Sequence, residues 1–208
     1  FYWDDYAMVC TLSHAASHAA LRDKRMGREC PPEFARPIPA ALAPFYDIEA
    51  HSMLELEPPR HTRLRGLVLR AFTSRTIAAL APDIRALCHR MIDAFPATPF
   101  DLLTAYAQPV PVRIIAKLLG VPGDQSDNLL RWSNAMVAMY QANRSAQIET
   151  DAISATRAFS NFIRAHIAKK RKHPANDLIS TLIAANEAGD KLSDDELITT
   201  CILLLNAG

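Results

Sequence analysis

The sequence predicts a mainly α-helical domain with a small β element at its amino terminus, and three observations support this. Glycine is scarce, with 6 residues in 208, and a glycine-poor chain favours helices. From Pro59 onward, apolar residues recur at helical spacing. Phe1–Val9 mixes aromatic and apolar side chains, which is typical of a strand. We expect residues 1–208 to form a single domain.

The elements of the first third follow in order. Phe1–Val9 predicts a strand with a turn at Asp4-Asp5, and Ser13–Arg22 predicts a short helix. Cys30–Pro44 is rich in proline and lacks a helical period, which predicts an extended loop. A helix is expected from Pro59, because one face then carries an apolar stripe at i, i+3, i+4, i+7 and i+8, formed by Leu64, Leu67, Val68, Ala71 and Phe72.

The rest of the chain also predicts helices. Their expected ranges are Ile77–Phe95, Val110–Leu119, Leu129–Tyr140, Thr150–Lys172 and Asp177–Asn186, the last with Asn176 as its cap. Ser193-Asp194-Asp195-Glu196 is a capping box, in which a serine and a glutamate three residues on satisfy the first backbone N–H groups. The helix that it starts, Leu197–Leu205, is apolar nearly all round, which is typical of the centre of a fold.

Composition narrows the classes of function. Half of the residues are hydrophobic, 22% are charged and the formal net charge is +1, so the chain has no strong drive toward nucleic acid or an anionic membrane. No secretory signal pattern opens it, and its longest apolar run, Cys201–Leu205, is far below the ~18 residues of a membrane span. We expect a cytoplasmic protein without nucleic-acid or membrane partners. Four widely spaced cysteines predict free thiols rather than a zinc cluster, namely Cys10, Cys30, Cys88 and Cys201.

His61 and Arg65 are the first candidate site residues. Residues at i and i+4 share a helix face, so the imidazole and guanidinium can converge on one carboxylate or phosphate. Arg65 also borders the apolar stripe, as expected of a group that binds the acidic edge of an apolar ligand. From spacing alone, a solvated basic face that includes Arg60, Arg63 and Arg70 is the preferred interpretation.

The segment around this pair resembles a known family. Glu57-Pro58-Pro59-Arg60-His61-Thr62-Arg63-Leu64-Arg65 is similar to the C-helix signature of bacterial cytochromes P450, with Glu57 where aspartate is usual. Further segments resemble the same family in the same order. They are Ala20–Arg25, Asp177–Ser180, Gly189–Leu197 and Cys201–Gly208, the last similar to the first half of the I helix.

The resemblance implies the amino-terminal half of a class I haem–thiolate monooxygenase fold, from the first strands to an I helix that begins near 193 and is cut at 208. In that family the histidine and the final arginine of the signature bind haem propionates, which implies this role for His61 and Arg65. Ala207 and Gly208 would line the oxygen pocket. The family's acid–threonine pair and cysteine ligand have no counterpart here, so no catalytic or metal-ligating residue is expected within the chain.

Partners and substrate contacts also follow from the resemblance. Electrons would come from NAD(P)H through a ferredoxin and ferredoxin reductase, and Arg60, Arg63 and Arg70 form either a face for the acidic ferredoxin or a plain solvated face. A small organic substrate would meet Met136, Met139, Tyr140, Leu203 and Asn206. A Met/Tyr stripe at helical spacing is more often simple core, and Gly208 has the alternative role of an ordinary helix C-cap.

A second function class stays open. The chain is also consistent with a catalytically inactive fragment, or a helical interaction module that holds no haem by itself. On that hypothesis the apolar Leu203-Leu204-Leu205 segment is exposed and favours self-association or pairing with another chain.

Overall fold

A computed structural model describes residues 1–35, 37–185 and 190–207. The chain opens with a two-stranded antiparallel sheet of β1 (Tyr2–Trp3) and β2 (Met8–Val9), in which Tyr2 pairs with Val9. A single 3-10 turn, Asp4–Tyr6, joins the strands. The turn expected at Asp4-Asp5 therefore divides the predicted strand into two short ones.

Helices make up most of the described chain. In order they are α1 (His14–Arg22), α2 (Ala43–Glu49), α3 (Arg60–Ala71), α4 (Ser74–Ala78), α5 (Ala81–Asp93), α6 (Pro109–Leu118), α7 (Ser126–Val137), α8 (Ala146–Lys172), α9 (Leu178–Ala184) and α10 (Asp194–Ala207). The mainly helical fold with a small β element is confirmed. No helix in the described ranges is both long and apolar enough to cross a membrane.

Three local predictions were wrong. The range Ile77–Phe95 is divided into α4 and α5, because Pro82 lies in the first turn of α5, where its missing N–H is tolerated. The cap of α9 is Asp177 rather than Asn176, since the Asp177 carboxylate accepts a hydrogen bond from the Ser180 amide at 2.8 Å. The predicted end of that helix at Asn186 lies outside the described residues. The third error is an omission, because no helix was predicted where α2 lies.

The helix α10 lies at the centre of the packing. It contacts α2, α6, α7, α8 and α9, and its residues Leu197–Ile202 and Leu205 are buried. The capping box at its start is formed in both directions, from the Ser193 amide to Glu196 at 2.8 Å and from the Glu196 amide to the Ser193 hydroxyl at 3.2 Å. The expectation of an exposed Leu203–Leu205 segment was wrong: Leu203 and Leu204 are half-buried and Leu205 is buried, because the neighbouring helices surround the segment.

The amphipathic helix α3 carries its predicted stripe against the core. Leu64 and Leu67 are 0% exposed, and Val68 and Ala71 are also buried. One side of α3 is therefore held by the core, and the two flanks of the stripe face in different directions. This division decides what the basic residues of α3 can contact.

Candidate functional site

His61 and Arg65 lie together on one flank of α3. A helix turns by about 100° per residue, so the two residues are about 40° apart around its axis. His61 is half-buried beside the apolar stripe and Arg65 is exposed. Within the described part of the chain, neither side chain makes a hydrogen bond or an ion pair. The donors of both side chains are thus available to an external anion.

The other flank of α3 is occupied differently. The Arg63 guanidinium pairs with Asp190 at 3.2 Å and with Glu196 at the start of α10. Arg60 pairs with Glu29 at 3.4 Å. The expectation that α3 bears only a solvated basic face is therefore wrong for Arg63, whose charge is used inside the protein. It also makes Arg63 a poor contact for an acidic partner.

A second candidate region is a cavity of about 200 Å³ beside the carboxyl-terminal half of α10. Four residues singled out from the sequence line it together, namely Tyr140, Leu203, Asn206 and Ala207. Val137, Leu54 and Ile202 add apolar surface, and Glu49, Ser52 and Thr199 add polar groups. An apolar cavity with a few polar groups is the usual form of a site for a small organic molecule.

Glu49 is the unexpected member of this cavity. Its side chain, at the end of α2, is 9% exposed and accepts a hydrogen bond from the Tyr140 hydroxyl at 2.6 Å. Burial raises the pKa of Glu49, and the Tyr140 hydrogen bond partly opposes that rise. Burial and the Glu49 carboxylate together raise the pKa of Tyr140, so the phenol stays protonated and its proton remains directed at Glu49.

Sequence reasoning missed Glu49 because it ended its proline-rich loop at Pro44 and assigned no helix after it. A signal was present: Phe45 and Glu49 are four residues apart and both are buried on α2. A carboxylate on the same helix face as a buried aromatic residue is unusual in a purely structural helix.

The remaining predicted residues have different positions. Met136 and Met139 are 0% and 4% exposed and belong to the hydrophobic core. Gly208 lies outside the described residues. No hydrogen bond or ion pair between described residues joins the basic pair on α3 to the cavity beside α10. The structure thus places His61 and Arg65 together on α3, and it places Tyr140, Leu203, Asn206 and Ala207 together around the cavity. It shows no polar contact between these two groups among the described residues.

Cys201 does not offer an activated metal ligand. Burial raises the pKa of Cys201 to about 12, so this thiol stays protonated, whereas a metal binds the thiolate. Within the described ranges, no group of three or more His, Cys, Asp or Glu residues is placed to hold a metal ion. The donors of His61 and Arg65 are of the kind that a ligand with carboxylate groups on its edge needs.

Comparison with curated proteins gives consistent matches. The chain is 38% identical over 158 residues to mycinamicin IV hydroxylase/epoxidase of Micromonospora griseorubida, covering 75% of this chain and 38% of that protein. It is 36% identical over 163 residues to the polyketide biosynthesis cytochrome P450 PksS of Bacillus subtilis, covering 78% and 39%. No protein-family model matches the chain.

Solved structures agree with these matches. P450BioI, in complex with an acyl carrier protein ligated to hexadec-9Z-enoic acid, superposes with a TM-score of 0.83 at 27% identity, over 93% of this chain and 49% of that one. The Bacillus subtilis P450 PksS superposes with a TM-score of 0.77 at 32% identity, over 93% and 47%.

These alignments show the class of protein: the chain has the fold of about half of a bacterial haem–thiolate protein. The chain belongs to the cytochrome P450 family. It spans about 40% of the length of the curated relatives that it matches and about half of the solved chains.

Proposed function

We propose that the chain is the amino-terminal part of a cytochrome P450 monooxygenase, which inserts one oxygen atom of O₂ into an organic substrate. The observation that carries this proposal is the basic pair on α3. Of the basic side chains on that helix, Arg63 is committed to internal acids, whereas His61 and Arg65 are left without partners in the described chain. The family membership gives the anion that such a pair would bind.

His61 and Arg65 would hold the haem propionates. Haem, once bound, supplies the oxygen activation. A half-buried imidazole and a guanidinium one turn apart can each donate to a carboxylate. The core packing of Leu64 and Leu67 would keep both donors in a constant orientation. By the family resemblance Ala207 would line the pocket for oxygen, and Gly208, the other residue expected there, lies outside the described residues.

The iron ligand and the electrons would come from elsewhere. We place the axial thiolate on sequence outside these 208 residues, because burial keeps Cys201 protonated and the relatives are about twice as long. Electrons would arrive from NAD(P)H through a ferredoxin-type partner in the cytoplasm. The ferredoxin would meet the basic face that includes Arg60, Arg63 and Arg70, of which Arg60 and Arg63 also pair with acids of the chain.

The substrate would occupy the cavity beside α10. Relatives with 34–38% identity include a mycinamicin IV hydroxylase/epoxidase and a steroid C26-monooxygenase, so we propose an organic molecule with a large apolar part. Tyr140, Leu203 and Asn206 line that cavity and would contact the substrate. Met136 and Met139 would act from the core behind it, by setting the position of α7 and the turn that follows.

The proposal is tested on the full-length protein. A Soret band and the reduced-CO spectrum of a thiolate-ligated haem are expected. A colourless protein after haem supplementation would contradict monooxygenase function and favour an interaction module.

The role of the basic pair is tested by haem retention. Arg65→Ala and His61→Ala should lower haem content after gel filtration, because each removes a donor to a propionate. Arg70→Ala is the matched control, since it removes the same charge from the opposite flank of α3. Unchanged haem content in both site variants would contradict the assignment.

A further inference from the structure

The cavity beside α10 has one ionisable carboxyl group, Glu49, and that group forms no ion pair among the described residues. Tyr140, which also lines the cavity, stays a neutral phenol. The guanidinium of Arg28 acts on Glu49 only through space, as the smallest influence on its pKa, and forms its ion pair with Glu55 at 2.7 Å. An ionised carboxylate that is buried without an ion-pair partner is costly, so the ionised form of Glu49 favours a positive ligand.

The hydrogen bonds around the cavity strengthen this argument. The Tyr140 hydroxyl already donates to Glu49, and the Thr199 hydroxyl donates to the Ile48 carbonyl at 3.1 Å. Ser52 accepts from the Leu54 amide at 3.3 Å and keeps its own proton. The Asn206 Oδ1 atom is buried and has no partner among the described residues. Two acceptors, Glu49 and Asn206 Oδ1, are therefore left for a ligand that donates.

The size and walls of the cavity set the rest of the ligand. A cavity of about 150 Å³ can hold benzene, so one of about 200 Å³ has room for the ring or chain that carries the amine, as one part of a larger apolar substrate. Val137, Leu54, Ile202 and Leu203 supply apolar contact for such a ring. A strongly polar ligand would leave these walls without a matching surface.

We propose that Glu49 determines substrate specificity by binding a protonated amine carried on an apolar substrate, with Asn206 Oδ1 as a second acceptor. This inference rests on the proposed function, since it takes the cavity as the place where the substrate of the monooxygenase lies. The cationic N–H would donate to Glu49, whose other contact, the Tyr140 hydroxyl, holds the carboxylate in place. The apolar walls would enclose the adjoining hydrocarbon.

The test compares two probes of the same shape, benzylamine and ethylbenzene, by equilibrium dialysis against the full-length holoenzyme. The protonated amine has three N–H groups and can donate to both acceptors, so it should bind about tenfold more tightly or better, as expected for one or more charge-assisted hydrogen bonds. Glu49→Gln keeps the side-chain shape and should remove that preference, leaving ethylbenzene unchanged. Glu55→Gln is the matched control, because it removes a nearby carboxylate that does not line the cavity, and it should preserve the preference.

A second variant keeps the test sharp if Glu49→Gln folds poorly. Asn206→Ala should weaken the binding of benzylamine and leave that of ethylbenzene unchanged. Equal affinity of both probes for the native protein would overturn the proposal. The proposal would also be overturned if Glu49→Gln weakened the binding of both probes equally. It would likewise be overturned if Glu49→Gln left the affinity for the amine unchanged, which is the result expected if the amine bound to the haem iron instead. Equilibrium dialysis does not depend on iron, so the preference for the amine can be measured whether or not haem is bound. A protein that binds no haem would overturn the proposed function, but it would not by itself decide whether Glu49 binds the amine.

Discussion

Glu49 and Tyr140 form a hydrogen-bonded pair in which the protonation of one group depends on the other. The carboxylate is nearly buried and accepts the phenol proton at 2.6 Å. Because burial is the largest influence on Glu49, its pKa lies above the ordinary 4.5. The folded protein therefore favours the protonated carboxyl more than the unfolded chain does.

This raised pKa predicts how stability depends on pH. A group whose pKa rises on folding contributes stability that is complete below its unfolded pKa and is lost as pH rises through its folded pKa. The stability of the native protein relative to Glu49→Gln should thus fall as pH increases from about 4 upward. Urea unfolding at a series of pH values measures it. A difference that stays constant or grows with pH would contradict the burial-dominated pKa.

Gly120 is a second residue whose identity is demanded by its surroundings. Its φ of +68° is in the left-handed region, and an added Cβ would lie 2.7 Å from the Lys170 ammonium and closer still to the Asp177 carboxylate. These two groups form an ion pair with side chains only 12% and 5% exposed. Asp177 also caps α9 through Ser180. The glycine thus lets the turn after α6 approach a buried ion pair.

Gly120→Ala should destabilise the protein by about 2 kcal/mol or more, since the left-handed conformation alone costs about 1–2 kcal/mol for a residue with a Cβ and the ion pair must also move. Gly123→Ala is the control: its Cβ would meet nothing within 4 Å, and a change within about 0.5 kcal/mol is expected. Chemical denaturation of both variants measures the difference. Equal effects of the two substitutions on the free energy of unfolding would show that the protein accommodates the Cβ at position 120 without losing stability.

At the scale of elements, Arg63 connects α3 to the start of α10. Its guanidinium pairs with Asp190 and Glu196, and Glu196 also accepts the Ser193 amide at 2.8 Å in the capping box. One acidic side chain thus caps α10 and holds α3. The same contact fixes the rotation of α3 from one flank, while His61 and Arg65 face away on the other. Positioning of the proposed haem donors therefore depends partly on a residue that does not face the haem.

A double-mutant cycle of Arg63→Gln and Glu196→Gln measures this connection. We expect a coupling of about 1 kcal/mol that declines at high salt, because the pair is only partly shielded from solvent. The exposed pair Lys117–Asp83, at 2.6 Å with side chains 56% and 43% exposed, is the control and should show coupling near zero. Similar coupling in both cycles would contradict a special role for Arg63.

At the scale of the whole molecule, a well-packed helical core coexists with an exposed apolar amino-terminal segment. The α10 residues Ile198 and Cys201 are 0% exposed, but large apolar side chains remain open to solvent before α2. These include Val9, Leu12, Leu21, Met26 and Phe34, at 80%, 82%, 88%, 64% and 73% exposure. Exposed apolar surface on this scale favours association.

The isolated 208-residue chain should consequently self-associate. Light scattering coupled to gel filtration should give an apparent mass that rises with protein concentration, while the full-length protein remains at constant mass. A chain that stays monomeric at high concentration would contradict this expectation. It would show that the apolar side chains of the amino-terminal segment do not drive association.

The sequence alone determined the elements whose cause is local or periodic. The stripe from Leu64 to Ala71 predicted α3 and its buried face, and Ser193 with Glu196 predicted the start of α10, because helical spacing and backbone capping are written in neighbouring residues. The pairing of His61 with Arg65 on one face followed from the same spacing. Only the tertiary structure decided that Arg63 forms ion pairs with acids of the chain, whereas the side chains of His61 and Arg65 form none with described residues. It also decided that Glu49 would meet Tyr140, 91 residues away along the chain, since which distant side chains come together depends on how the helices pack.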